Sequence, residues 1–200
     1  EDFVPFANKA PQTRWYSEED LPYSSIQCLY HHRDSSIWAG TLTGQLLRYN
    51  KKRDTWQTIA MPENVQTLRS ILPGANADQL WLGSGSGLYQ YQISTGTLID
   101  LTDDPNLQYI IQMDFVGDEL WMGSSRGIVA LDTATLSSRL LIPGSDTYPN
   151  LPNGQLTHIY LTDTVAWIAT FGGGLLKYDF THQSFSPIQE NDGLINNNVW

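Results

Sequence analysis

The sequence predicts an all-β chain made of β-propeller blades of four antiparallel strands. Three observations carry this: a tryptophan motif that recurs, apolar runs at fixed offsets from it, and turn residues between the runs. The motif is Ile37-Trp38-Ala39-Gly40-Thr41, then Leu80-Trp81-Leu82-Gly83-Ser84, Leu120-Trp121-Met122-Gly123-Ser124 and Ala166-Trp167-Ile168-Ala169-Thr170. The tryptophans are 43, 40 and 46 residues apart, near the roughly 40 to 50 residue period of propeller blades.

Each repeat reads as four short strands. An apolar run precedes each tryptophan, at Ile26 to Tyr30, Leu68 to Leu72, Ile110 to Phe115 and Leu156 to Leu161. The tryptophan motif is the second strand. The third comes next at Leu46 to Tyr49, Leu88 to Tyr91, Ile128 to Leu131 and Leu175 to Tyr178, and a fourth is clearest at Thr55 to Ile59 and Ser184 to Ile188. The runs are short, rich in Ile, Leu, Trp and Tyr, and bounded by Gly, Asn, Asp and Ser, which favours strands over helices. Several are continuously apolar, as expected of a sheet covered on both faces, and blades stacked side by side supply that cover. The indole then fills space between blades, while Gly40, Gly83 and Gly123 permit a turn or a close backbone approach.

The expected division is an N-terminal segment at 1–20 holding an outer closing strand, blade one at 21–60, blade two at 61–104, blade three at 105–144, blade four at 145–190, and the start of a fifth blade at 191–200. Asn196-Asn197-Asn198-Val199-Trp200 begins a further first strand. The expectation is therefore four near-complete blades from a larger propeller of about seven blades.

The chain carries 11 Lys plus Arg against 21 Asp plus Glu, a net charge of -10. Such a charge repels a polyphosphate backbone, so nucleic acid is not an expected partner. The acids are spread through turns such as Asp103-Asp104 and Asp118-Glu119, a distribution that serves solubility. The single cysteine, Cys28, excludes an internal disulfide and a CxxC metal knuckle. No run approaches the 18 to 20 apolar residues, roughly, that span a bilayer, and no basic-then-apolar leader precedes Glu1.

In detail the repeat resembles the two-component regulator propeller repeat. The resemblance rests on Leu21-Pro22 with Ile26, on Leu151-Pro152-Asn153, on Trp167-Ile168-Ala169-Thr170-Phe171-Gly172-Gly173-Gly174-Leu175 with Tyr178-Asp179, and on Asn191-Asp192-Gly193-Leu194. Departures are Leu131 where the other blades have tyrosine, Ala169 in place of glycine, and the missing Leu-Pro in blades two and three. The resemblance implies the periplasmic sensor region of a membrane protein whose cytoplasmic part is a histidine kinase or diguanylate cyclase. It implies a small extracellular ligand, signalling domains of the same receptor as partners, and no cofactor, and it is compatible with a homodimer.

With the first strand innermost, the loop leading into strand one and the turn joining strands two and three share a face. The hydroxyls that recur there, Thr41, Ser84, Ser124 and Thr170, read as local caps of their turns. The non-recurring residues are the ligand candidates: Tyr23, Tyr109, Arg126, Phe171 and Asn153. Flat aromatics beside amides and hydroxyls suit an oligosaccharide, and Arg126 suits a carboxylate. A protein-docking scaffold is the alternative. A propeller lyase is a weaker one, since no clustered acid and base is visible and no catalytic or metal-binding residue is assigned. Gly83-Ser84-Gly85-Ser86-Gly87 lacks the lysine and helix of a phosphate loop. His31 and His32 read as solvated turn residues. His158 shares its inner-strand position with Cys28, Ser70 and Gln112, where contact with the channel or an ordered water is expected.

Overall fold

A computed structural model describes residues 25–143, 156–162 and 164–199. They form four separate four-stranded antiparallel sheets, each a meander in chain order. The first comprises β1 (Ile26–His31), β2 (Ile37–Thr41), β3 (Leu46–Asn50) and β4 (Thr55–Ile59). The second comprises β5 (Leu68–Pro73), β6 (Gln79–Ser84), β7 (Leu88–Gln92) and β8 (Thr97–Asp100). The third comprises β9 (Met113–Val116), β10 (Glu119–Ser124), β11 (Gly127–Asp132) and β12 (Ser138–Pro143). The fourth comprises β13 (Leu156–Leu161), β14 (Val165–Thr170), β15 (Gly174–Asp179) and β16 (Ser184–Ile188). Between sheets, β1 packs on β5, β5 on β9 and β9 on β13, so the first strand of each blade is innermost.

The indoles plug the gaps between blades. Trp38 of the first sheet is buried with Leu68, Leu82 and Tyr91 of the second, its ring 6.0 Å from that of Tyr91 at 66°. Trp81 lies with Met113, Met122 and Leu131 of the third, and Trp121 with Ile159, Ile168 and Tyr178 of the fourth. Burying one such ring removes on the order of 200 Å² from water, about 5 kcal/mol as an upper figure. The residue two positions earlier decides the fate of the indole N–H. Trp38 Nε1 donates to Ser36 Oγ at 3.1 Å and Trp121 Nε1 to Glu119 Oε2 at 3.2 Å, whereas buried Trp81 Nε1 meets no acceptor among the described residues.

The glycines that follow Trp38 and Trp81 mark a close approach by the next blade rather than a turn. A Cβ on Gly40 would stand 2.7 Å from Leu68 Cβ and 2.9 Å from the Leu68 carbonyl oxygen, and one on Gly83 would stand 2.8 Å from Ile110 Cγ2.

Three inner strands carry a β-bulge at the same place. Ile26 pairs with Thr41 and Cys28 with Gly40, leaving Gln27 extra. Arg69 is extra between Leu68 and Ser70, and Thr157 between Leu156 and His158. The shared position of Cys28, Ser70 and His158 is thus the residue just after a bulge. At that position Cys28 Sγ lies 3.6 Å from the Leu68 carbonyl, reaching the next blade, Ser70 is buried and His158 is exposed.

Two expectations are corrected. The inner strand of blade three begins at Met113, not Ile110, because Tyr109 adopts a left-handed backbone and the Ile110 N–H is given to the Ser84 carbonyl of the preceding blade. His32 is not a solvated turn residue: it is 4% exposed and its Nδ1 lies 2.8 Å from Asp34 Oδ1. The Asp34 carboxylate also accepts from Ser36 N, Ser36 Oγ and Arg48 Nη2, so the turn folds around one acid and pulls the histidine in.

Candidate functional site

One hydrogen bond, repeated blade by blade, builds the turn face. The N–H following the buried hydroxyl donates to the segment leading into strand one of the same blade: Leu42 to Ser25, Gly85 to Thr67 and Ser125 to Gln108. Cross-links to the next blade complete it. Ile110 N donates to Ser84 O at 2.8 Å, Val199 N to Thr170 O at 3.1 Å, and Thr67 Oγ1 to Leu42 O at 2.8 Å. The loops expected to share a face do so.

The recurring hydroxyls cap these turns and are inaccessible. Thr41, Ser84, Ser124 and Thr170 are all buried. Ser84 Oγ accepts from Gly87 N at 3.0 Å, Ser124 Oγ from Arg126 N at 3.1 Å, and Thr170 Oγ1 donates to Gly174 O at 2.8 Å. Exposure passes to the residue after the cap, Leu42 in blade one and Phe171 in blade four.

Of the residues singled out from sequence, Tyr23 and Asn153 lie outside the described residues. Tyr109 and Arg126 come to one corner, joined through the Ser125–Gln108 bond at 3.0 Å. Tyr109 is 42% exposed with φ at 54°, an uncommon conformation for a bulky residue and one that persists only where its surroundings impose it. Here the anchors are its neighbours: Ile110 is fully buried and Gln108 is held by Ser125. Phe171, 38% exposed, occupies the corresponding turn of blade four rather than this corner.

The sequence did not point to Arg69. It is the extra residue of the blade-two bulge, and its guanidinium stands 5.5 Å from the Tyr109 ring centroid. Its Nε is buried and has no hydrogen-bond partner among the described residues. A bulge re-aims a side chain in this way; Thr157, at the same position in blade four, sends its Oγ1 to the Val199 carbonyl at 2.6 Å. The one signal in the sequence was a cation inside the inner run Leu68-Arg69-Ser70-Ile71-Leu72.

The opposite face is differently equipped. A groove of about 690 Å³ is lined by Asp34, Arg48, Tyr49, Lys51 and Lys52, but Arg48 is already bonded to Asp34 at 2.8 Å. A second, about 460 Å³, lies against Trp121, Tyr178 and Phe180, and its Arg139 is forked onto Glu119. That fork holds the Glu119 carboxyl below its ordinary range, against the opposing effect of burial. Both arginines are spent on internal carboxylates, whereas Arg69 and Arg126 make no ion pair among the described residues. Among the described residues no three His, Cys, Asp or Glu side chains gather to hold a metal, and no helix is long and apolar enough to cross a membrane.

No protein-family model matches the sequence. Among solved structures, the extracellular domain of one hybrid two-component system from B. thetaiotaomicron aligns with a TM-score of 0.69 at 19% identity, over 87% of this chain and 26% of that one. A second from the same organism aligns with the same score and identity, over 84% of this chain and 22% of that one. The fold is a run of β-propeller blades. A curated relative, Histidine kinase P4 of Formosa agariphila, is 25% identical over 188 residues, or 87% of this chain and 13% of its own length. This chain spans only a small part of each of these relatives.

Proposed function

We propose that this run of blades is an extracytoplasmic ligand-sensing domain of a membrane signalling receptor, placed in the periplasm and passing its signal to further domains of the same receptor, with a homodimer as the signalling unit. It takes a small ligand on the turn face, with an oligosaccharide as the preferred class. The observation that carries this is Tyr109, an exposed ring held in a costly backbone conformation between Ile110, which is buried, and Gln108, whose carbonyl accepts from the Ser125 N–H next to Arg126. An exposed ring offers an apolar surface for a sugar face, and the Arg69 guanidinium flanks it at 5.5 Å. Phe171, Tyr23 and Asn153 extend the same face in this reading. The blades themselves perform no chemistry in it.

The test is a thermal-shift and calorimetric screen of soluble oligosaccharides on the wild-type chain and on Tyr109→Ala. A ligand that raises the wild-type Tm and binds the variant at least about tenfold more weakly supports the reading, that factor being about 1.4 kcal/mol. A screen in which no soluble ligand stabilises the chain, while an extracytoplasmic protein binds it, replaces this reading with the docking scaffold.

A further inference from the structure

We infer that the group recognised at this corner is an anion, a ligand carboxylate gripped by Arg69 over the ring of Tyr109 with Arg126 alongside; this rests on the ligand-binding reading above and names its chemistry.

The acids of the chain are missing from one half of this face, the turns that join second and third strands, while the loops leading into the first strands carry Glu63, Asp103 and Asp104. There are 21 Asp plus Glu, yet none falls in the four turns after β2, β6, β10 and β14, which read Leu42-Thr43-Gly44-Gln45, Gly85-Ser86-Gly87, Ser125-Arg126 and Phe171-Gly172-Gly173. The turns of the opposite face hold Asp34, Asp54, Asp78 and Asp118, and Asp179 ends the strand beside another. Arg126 stands in one of these acid-free turns and, like Arg69, makes no ion pair among the described residues. Arg48 and Arg139, on the other face, are each paired to an acid.

Arg69 is placed as such a receptor needs. The bulge takes it out of the strand ladder, so its backbone is not committed to the pairing of its neighbours. The Tyr109 ring flanks its guanidinium at 5.5 Å, and Arg126 projects from the turn bonded to the Tyr109 loop. A guanidinium with a buried, unpartnered Nε is an incomplete arrangement, because a buried charged donor ordinarily finds an acceptor. Its fork matches the two oxygens of a carboxylate, and a ring beside it suits the sugar that would carry one. A lysine offers the charge without the fork.

The test uses the arginine Nε–Hε signals in nitrogen-15 spectra of the intact chain, assigned with Arg69→Gln and Arg126→Gln. Trigalacturonate and its fully methyl-esterified form are titrated in parallel at matched ionic strength. The expected result is a saturable shift of the Arg69 signal with the acid. Its midpoint should be at least about tenfold lower than with the ester, and, followed at the Tyr109 amide, Arg69→Gln should raise the acid's midpoint to that of the ester while Arg69→Lys falls between. Equal response to acid and ester, or an acid response that survives Arg69→Gln, overturns the inference. If the ester moves the Tyr109 amide while the Arg69 signal stays still, the ligand is neutral and only the broader reading survives. If neither compound moves either signal, both fall together.

Discussion

Cys28 shows how a position that looks reactive on paper is made inert by packing. Its Sγ sits 3.6 Å from the Leu68 carbonyl, and a Cβ on Gly40 would stand 2.7 Å from it, so the thiol fills the seam between blades one and two. Burial pushes its pKa up to about 11, with the backbone hydrogen bond of Gly40 working in the opposite direction. Since the thiolate is the nucleophile, the folded chain should resist alkylation at pH 8 and react fully once denatured. Iodoacetamide labelling followed by mass measurement checks this, and rapid labelling of the native chain at that pH would refute the seam. At the same scale the sequence was readable where a residue type recurs and silent where a single side chain is redirected. The tryptophans announced themselves by interval. Arg69 and His32 did not, because the first is turned outward by a register shift that leaves no mark on composition, and the second is drawn inward by an acid two residues away.

At the scale of the strand and turn, Asp34 organises the first hairpin of blade one. Burial tends to raise its pKa, but the Ser36 hydroxyl, the Ser36 N–H and His32 all bond to the charged form and hold it far below its ordinary 3.8. The sign comes from that direction. A carboxyl with a depressed folded pKa adds stability above its unfolded value, and that addition drains away as pH falls below 3.8 toward the folded value. Asp34→Asn should therefore destabilise the chain by a nearly constant amount from pH 8 to about pH 5, on the order of 1 kcal/mol for a group about half exposed. The gap to wild type should narrow below about pH 4; urea melts across that range measure it, and a gap that widens in acid contradicts the assignment. The glycines make a second prediction at this scale. An added methyl at Gly83 meets the end of a side chain, Ile110 Cγ2, whereas at Gly40 it meets the Leu68 carbonyl, which cannot swing aside. Gly83→Ala should cost about 1–3 kcal/mol and Gly40→Ala more. The reverse order in denaturant melts would mean that the inner strands yield more easily than their side chains. The second and third strands were legible in full because they hold the recurring motif. The inner strand of blade three was not, since Ile110, next to the left-handed Tyr109, gives its N–H to the preceding blade although its sequence continues the apolar run.

For the molecule as a whole, what matters is that among the described residues the substantial strand contacts between sheets all join successive blades. The apolar clusters fall at the three successive seams, one to two, two to three and three to four, and each is seeded by the indole of the earlier blade. Stability in such an array is a sum of blade terms and nearest-neighbour seam terms, so damage at one seam should remain local. Trp121 is the sharpest place to try this. Its ring lies 5.0 Å from Tyr178 and its N–H is bonded to Glu119, so Trp121→Ala empties the third seam and strands a carboxylate that also holds Arg139. The cost should be about 3–5 kcal/mol. Hydrogen exchange followed by mass spectrometry should show faster exchange in β9–β12 and β13–β16, while β1–β4 and β5–β8 keep their protection. Uniform loss of protection across all four sheets would mean that the blades unfold as one unit, and the seams could not then be treated as separable. The turn face sits at the ends of those seams, with Arg69 on one blade reaching Tyr109 of the next. A ligand bridging the two would tighten the second seam, and occupancy would thereby be converted into stiffness between neighbouring blades.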